Sequence, residues 1–256
     1  MANNDSTSNT IRVALALCIV CSVIVSTAAV LLRPAQQANK DLDRKTNILA
    51  AAGMLEKGDD VLAKFATIKT KAVDLATGKF TDSVDLNTYN QRKAAKDPAL
   101  STDLGDDDIA KIGRLQKYMI VYVVEGTSGL EKIILPIKGY GLWSTLYGFV
   151  ALESDLNTVA GLGFYEHAET PGLGGEVDNP SWKAQWIGKK SYDSDSKQAL
   201  TVIKGKVDPS RPQSIHEIDG LSGATITSKG VDNLIKFWMG ENGFAPFLTN
   251  LRSGEA

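Results

Sequence analysis

Apolar and polar positions divide this chain into segments before any composition is counted. From Val13 to Leu32 no charged residue occurs, and Arg12 and Arg33 bracket the run. At about 1.5 Å of rise per residue, such a run spans a hydrocarbon core of about 30 Å. Its length exceeds a typical signal-peptide core and favours a retained transmembrane helix over 13–32, while Ser26, Thr27, Ala28 and Ala29 also offer a cleavage site. Residues 1–12 form a polar tail, with 1–10 rich in Asn, Ser and Thr. Beyond the span, Leu42, Leu49, Ala52 and Leu55 mark a helix over 36–57 that Gly58 ends. Asp59 and Asp60 open a second helix carrying Val61, Leu62, Phe65 and Ile68 on one side.

The pattern then changes period. Residues 76–114 are polar, and Asp106, Asp107 and Asp108 read as a solvated loop or helix start, since a calcium site needs more ligands at set spacing. Tyr118 to Val124 and Leu130 to Ile137 are β-branched, apolar runs around Glu125-Gly126-Thr127-Ser128-Gly129, a hairpin signal. Leu146 to Glu153, Thr158 to Tyr165 and Ala199 to Val207 read as further strands, and 180–188 as a short helix with Trp182 and Trp186. Strands in succession with few helices argue an α+β fold. The organisation expected is a helical stalk region over 33–115 and a mixed α+β domain over 116–256.

Composition adds mostly exclusions. A net charge of -2 over 256 residues gives no electrostatic footprint for nucleic acid. The two cysteines, Cys18 and Cys21, both lie in the apolar run, so the remainder can build neither a disulfide framework nor a cysteine-ligated metal site. Charge around the span is ambiguous: Arg12 precedes it and Arg33, Lys40, Arg44 and Lys45 follow, which by itself puts the large domain inside. Long domains translocate largely regardless of such counts.

The chemistry concentrates late in the chain. Val231, Leu234, Ile235 and Trp238 fall on one face of a helix that Gly240 stops. Asp219-Gly220-Leu221-Ser222-Gly223-Ala224-Thr225 leads into it, placing Thr225 just before a helix start, where free amides and the helix dipole favour a phosphate. Thr227 reads as an N-cap. A plain capping turn explains the same residues. Two glycine-rich segments precede this one, Gly139-Tyr140-Gly141-Leu142-Trp143-Ser144-Thr145 and Glu166-His167-Ala168-Glu169-Thr170-Pro171-Gly172-Leu173-Gly174-Gly175. Neither is a phosphate loop or a dinucleotide fingerprint, and with only His167 and His216 in the chain no two-His zinc spacing exists. The second is either an ordered surface loop or a loop whose backbone amides and Thr170 hydroxyl face a flat polar ring.

Asp219-x-x-Ser222-Gly223-Ala224-Thr225 resembles the flavinylation motif of the covalent FMN-binding domain family. His167-x-Glu169-Thr170-Pro171-Gly172-Leu173-Gly174 is similar to the loop that accompanies it in the C subunits of sodium-translocating NADH:ubiquinone reductases and in their Rnf-type relatives, the G subunits. The 139–145 segment, the long 36–115 region and the anchor point to the C-subunit family. The resemblance implies one covalent FMN, held as a phosphoester on Thr225, with Asp219, Ser222, Gly223 and Ala224 read by a flavin transferase that uses FAD and magnesium. It implies that Glu169, Thr170, Leu173 and Gly174 lie against the flavin, with Trp143 either an aromatic neighbour of the ring or core. It further implies an electron-relaying subunit between NADH and ubiquinone with no general acid, base or nucleophile of its own. Its partners would be the other subunits of a sodium-pumping complex in the bacterial inner membrane, with the FMN domain periplasmic. The competing readings are the Rnf-type subunit, a non-redox membrane-anchored binding module, and a free-standing flavin reductase, for which no nucleotide fingerprint exists.

Overall fold

A computed structural model describes residues 6–127 and 129–256. Residues 1–5 of the expected polar tail, and Ser128 of the expected hairpin turn, lie outside the described residues. Two compact units result, one ending at Asp43 and one from Arg44 to Ala256.

Helix α1 (Thr7–Ala51) runs through the whole apolar stretch and through Pro34. The polar residues from Thr7 onward and the two helices expected around Arg33 are therefore one element. Large apolar side chains from Ile11 to Leu32 are exposed all along it, and it is long and apolar enough to cross a membrane. Cys18 and Cys21 sit on its exposed surface. The helix ends at Ala51 rather than at Gly58, because Gly53 takes a left-handed conformation (φ +65°) and lets Met54 N–H reach back to the Leu49 carbonyl at 2.9 Å.

In the second unit, α2 (Val61–Phe65) starts where expected, the Asp60 carboxylate accepting from the amides of Leu62 and Ala63. Ile68 falls beyond it and is buried. The polar region then departs from expectation. β1 (Lys69–Asp74) precedes it, and it contributes β2 (Lys79–Thr81), α3 (Gln91–Ala94) and a small hairpin of β3 (Ser101–Asp103) and β4 (Arg114–Gln116). Its Asp108 carboxylate closes a loop by accepting from the amides of Ile112 and Gly113. Strands β5 (Tyr118–Gly126), β6 (Gly129–Tyr140), β7 (Thr145–Glu153) and β8 (Val159–Glu166) follow, each close to its expected run. The antiparallel sheet has the order β2-β1-β5-β6-β7-β8. The expected boundary at 116 thus falls inside the compact unit, since β1 and β2 belong to this sheet.

Both faces are covered, which is why β6 is buried from Ile133 through Ile137 instead of alternating. Ile134, Tyr122, Phe149 and Ala151 pack against Ile48 and Leu49. Ile133, Leu135, Ile137 and Val150 face the other way, towards α5 (Thr225–Trp238) and the loops around it. Those loops hold α4 (Pro180–Ala184), with Trp182 and Trp186 edge to face at 5.4 Å, and a parallel pair of two-residue strands, β9 (Thr201–Val202) and β10 (Glu217–Ile218). The expected strand over 199–207 shrinks to β9 because only Thr201 and Val202 lie in register with β10, with the buried Asp232 carboxylate accepting from the Thr201 hydroxyl and the Val202 amide. Helix α5 (Thr225–Trp238) and helix α6 (Ala245–Ser253) complete the fold. Trp238, Phe244 and Phe247 are fully buried, each contributing roughly 1.5–3 kcal/mol of apolar burial.

Candidate functional site

The motif is built from its acidic end. Asp219 is bound on three sides: its carbonyl accepts from Trp182 Nε1 at 2.8 Å, its carboxylate from Val207 N–H at 2.7 Å, and its amide donates to Gln185 Oε1 at 3.2 Å. Gly220 follows, where a Cβ would lie 2.5 Å from the Ile203 carbonyl oxygen, so only glycine passes. Leu221 N–H donates to Ser228 Oγ, which itself donates to the Ala224 carbonyl. Gly223 turns the chain in a left-handed conformation (φ +72°). Asp219 therefore anchors the turn from behind. Ser222, Gly223 and Thr225 are exposed, and Ala224 is buried.

Thr225 is the first residue of α5, so the helix begins one step earlier than the sequence suggests, and Ala224 is a cap residue with no side-chain bond to offer. Among the described residues the amides of Thr225, Ile226 and Thr227 make no hydrogen bond; the first internal bond runs from Ser228 N–H to the Ala224 carbonyl at 2.9 Å. Three free donors and the positive end of a 14-residue helix favour an anion here. The exposed Thr225 hydroxyl stands beside them. The chemistry of these donors fits the phosphate end of FMN.

Thr227 is not the N-cap. It lies four residues before Val231, on the buried face of α5, and its hydroxyl donates to Glu169 Oε2 at 2.6 Å. Glu169, 5% exposed, is the hub of the site. Its Oε1 accepts from the amides of Leu142 and Trp143, both at 3.0 Å, so one carboxylate ties the 139–145 turn to the 166–175 loop and to the first turn of α5. Burial alone would raise its pKa; the Thr227 hydroxyl and the amides of Trp143, Leu142 and Ser144 outweigh that and hold it below the usual carboxylate value. The surrounding glycines are cut to this carboxylate. A Cβ on Gly141 would lie 2.5 Å from Glu169 Oε1, and one on Gly174 would lie 2.6 Å from Oε2 and 2.5 Å from Thr227 Oγ1. Glu169 and Gly174 are thus both buried, packed against each other and Thr227.

The other expected residues face outward. Thr170 is exposed, and its carbonyl closes the loop by accepting from the amides of Leu173 and Gly175. Leu173 is exposed and reaches the motif turn, its Cδ2 3.0 Å from where a Cβ of Gly223 would stand. Trp143 is 64% exposed, which removes the core reading. Leu142 and Ile226, which sequence reasoning passed over, are also exposed. The Leu142 and Trp143 amides are tied through Glu169 to Thr227 in the first turn of α5. His167 is engaged by Asp178 at 2.7 Å.

Comparison with known proteins finds relatives over the whole chain. The FMN-binding domain family matches residues 141–240. The C subunit of the Na(+)-translocating NADH-quinone reductase of Pseudomonas aeruginosa is 56% identical over 261 residues, covering 100% of both chains. The same reductase's C subunit in Vibrio vulnificus is 51% identical over 256 residues, covering 99% of both. Among solved structures, NqrC of Shewanella oneidensis matches with a TM-score of 0.77 at 36% identity, over 84% of this chain and 99% of that one. The C subunit from Parabacteroides distasonis matches with a TM-score of 0.63 at 27% identity, over 86% of this chain and 96% of that one.

Proposed function

The chain belongs to the family of Na(+)-translocating NADH-quinone reductase C subunits, and from that premise we propose that it carries one FMN joined through its phosphate to Thr225 Oγ1. The observation that carries the covalent reading is the position of Thr225, an exposed hydroxyl beside three unpartnered amides at a helix start. Attachment uses the hydroxyl once, in a reaction run by a separate flavin transferase with FAD and magnesium. Thr225 Oγ1 forms the new P–O bond to the FMN phosphate, the pyrophosphate bond of FAD breaks, and AMP leaves with the hydroxyl proton. Asp219 fixes the turn from inside, while Ser222 and Gly223 are the exposed part of the motif available to the transferase, with Ala224 packed beneath.

Bound FMN supplies one- and two-electron transfer, so the chain's own residues are left to bind, orient and shield it. The amides of Thr225, Ile226 and Thr227 hold the phosphate. Trp143, Leu142, Leu173 and Ile226 offer apolar surface to the flat ring, and Thr170 offers a hydroxyl at its edge. Glu169 positions Trp143 and Leu142 without touching the ring. In the complex this subunit relays electrons from NADH towards ubiquinone, anchored by α1 in the bacterial inner membrane with the FMN domain on the periplasmic side, beside the other subunits. Fluorescence under ultraviolet light tests the attachment. After coexpression with the transferase, the denatured wild-type chain should fluoresce in a gel and Thr225→Ala should not; a dark wild-type band would instead support a binding module without flavin.

A further inference from the structure

Strands β5 and β6 run side by side only as far as Tyr122 and Ile134. Past that pair, β5 continues back to Tyr118 along β1 and β6 continues to Tyr140 along β7, so the sheet opens into a fork. Local sequence suits the split. Pro136 has no N–H to leave unpaired, and the Ile120 N–H that β6 does not meet is taken by Gln91 Oε1 from α3 at 3.0 Å. A cavity of about 380 Å³ lies in the fork, within the range of small-molecule sites, which begin at about 300 Å³. Its lining draws on both faces of the sheet, Tyr147 and Tyr165 from one and Met119 and Ile137 from the face packed on α5.

Its walls carry more positive than negative charge. The Lys138 ammonium, on β6, donates one hydrogen bond, to Gln116 Oε1 at 3.2 Å, and among the described residues it forms no ion pair with a carboxylate. Burial pushes its pKa down to about 8, with the nearby Arg92 acting the same way and Asp108 opposing. Arg92 is locked in place: its guanidinium stacks 3.7 Å from the centre of the Tyr147 ring and binds Glu166 at 2.9 and 3.1 Å and the Tyr165 hydroxyl at 3.1 Å. Those three bonds leave two of its five N–H donors unspent. Lys96 adds a third cation. Among the described residues the only carboxylate lining the cavity, Glu166, is already spent on Arg92, and Asp108 is occupied by two backbone amides. A lysine sheltered from water normally has a counter-charge, because desolvation of the ammonium is otherwise uncompensated. Met119, Pro136 and the Tyr147 ring give the wall an apolar part, beside the amide side chains of Gln91 and Gln116.

We propose that this fork is a second binding site, for a small organic carboxylate whose head meets Lys138 and the free donors of Arg92 and whose flat apolar body rests on Met119 and Pro136. The site is separate from the Thr225 surface and stands or falls independently of FMN attachment. The test uses the full-length chain in detergent with benzoate as probe and acetate as the head without the body. Acetylation of individual lysines by acetic anhydride is followed by peptide mass spectrometry, with exposed Lys204 as the internal reference. Taking a Kd of about 1 mM, within reach of a ligand of about nine heavy atoms, roughly 10 mM benzoate should slow labelling of Lys138 about tenfold. Lys204 should be unaffected, and acetate should protect Lys138 far less. Calorimetry adds a check, since Lys138→Met with an unchanged melting temperature should abolish the heat of benzoate binding. Equal labelling of Lys138 with and without benzoate, equal slowing of Lys204, or equal protection by acetate would overturn the proposal.

Discussion

Glu169 is the residue whose replacement has the most calculable consequence. Glu169→Gln keeps the shape and removes the charge. Three donors converge on the carboxylate, two amides at 3.0 Å and the Thr227 hydroxyl at 2.6 Å. With the glutamine oxygen facing the amides, its NH₂ faces Thr227, whose hydroxyl turns to accept, so all three bonds survive as neutral ones. Bonds to a charged group contribute roughly 1.5–3 kcal/mol against 0.5–1.5 kcal/mol for neutral ones. The loss is therefore about 1 kcal/mol per bond, offset in part because a buried carboxylate no longer has to be desolvated. A net destabilisation of about 1–2 kcal/mol follows, which for a domain of roughly 200 residues lowers Tm by about 2–8 °C. The pH dependence carries the sign. The folded-state pKa is depressed, so the contribution of the charge is fully present above the ordinary carboxylate range and is lost as pH falls through it. Thermal unfolding by circular dichroism should show the full gap between wild type and variant at pH 7 and a shrinking gap below about pH 4. A Tm at pH 7 within about 1 °C of wild type, or a gap that does not narrow in acid, would refute the role given to this carboxylate.

Other outcomes rest on the same geometry. Gly174→Ala forces a Cβ to within 2.6 Å of both Glu169 and Thr227 oxygens, and should cost about 1–3 kcal/mol in denaturant unfolding; an unchanged midpoint would mean the loop gives way freely. Removing residues 1–33 should yield a domain that stays in solution without detergent and still accepts FMN, whereas a native N-terminal sequence beginning near Ala29 would show that the apolar segment is cleaved. The purified flavinylated domain, mixed anaerobically with NADH, should keep its flavin absorbance and lose it only with dithionite; rapid bleaching by NADH would reveal a nucleotide site in this chain.

What the sequence discloses depends on how local the information is. Thr225 and its turn are legible because the motif is contiguous and the periodicity of α5 fixes the helix after it. The apolar helix and β5 to β8 are legible because two-sided burial makes their apolar runs long. β1 is hidden because only Ala72 and Val73 of its six residues are buried and three of the others are charged. Thr227 is misread as a cap because its hydroxyl is claimed by Glu169, 58 residues away in sequence. Glu169 itself looks like a ligand residue in its loop, and only the fold turns it inward. The fork between β5 and β6 has no local signature at all: Lys138 and Arg92 meet there because α3 folds back under the sheet.

The most direct test of the central claim is the intact mass of the full-length chain purified after coexpression with its flavin transferase, combined with peptide mapping of the added group. The expected result is a gain of one FMN less one water, localised to Thr225 and absent from Thr225→Ala. An unmodified mass, or a flavin mapped to Thr227, whose hydroxyl is buried against Glu169, would contradict it.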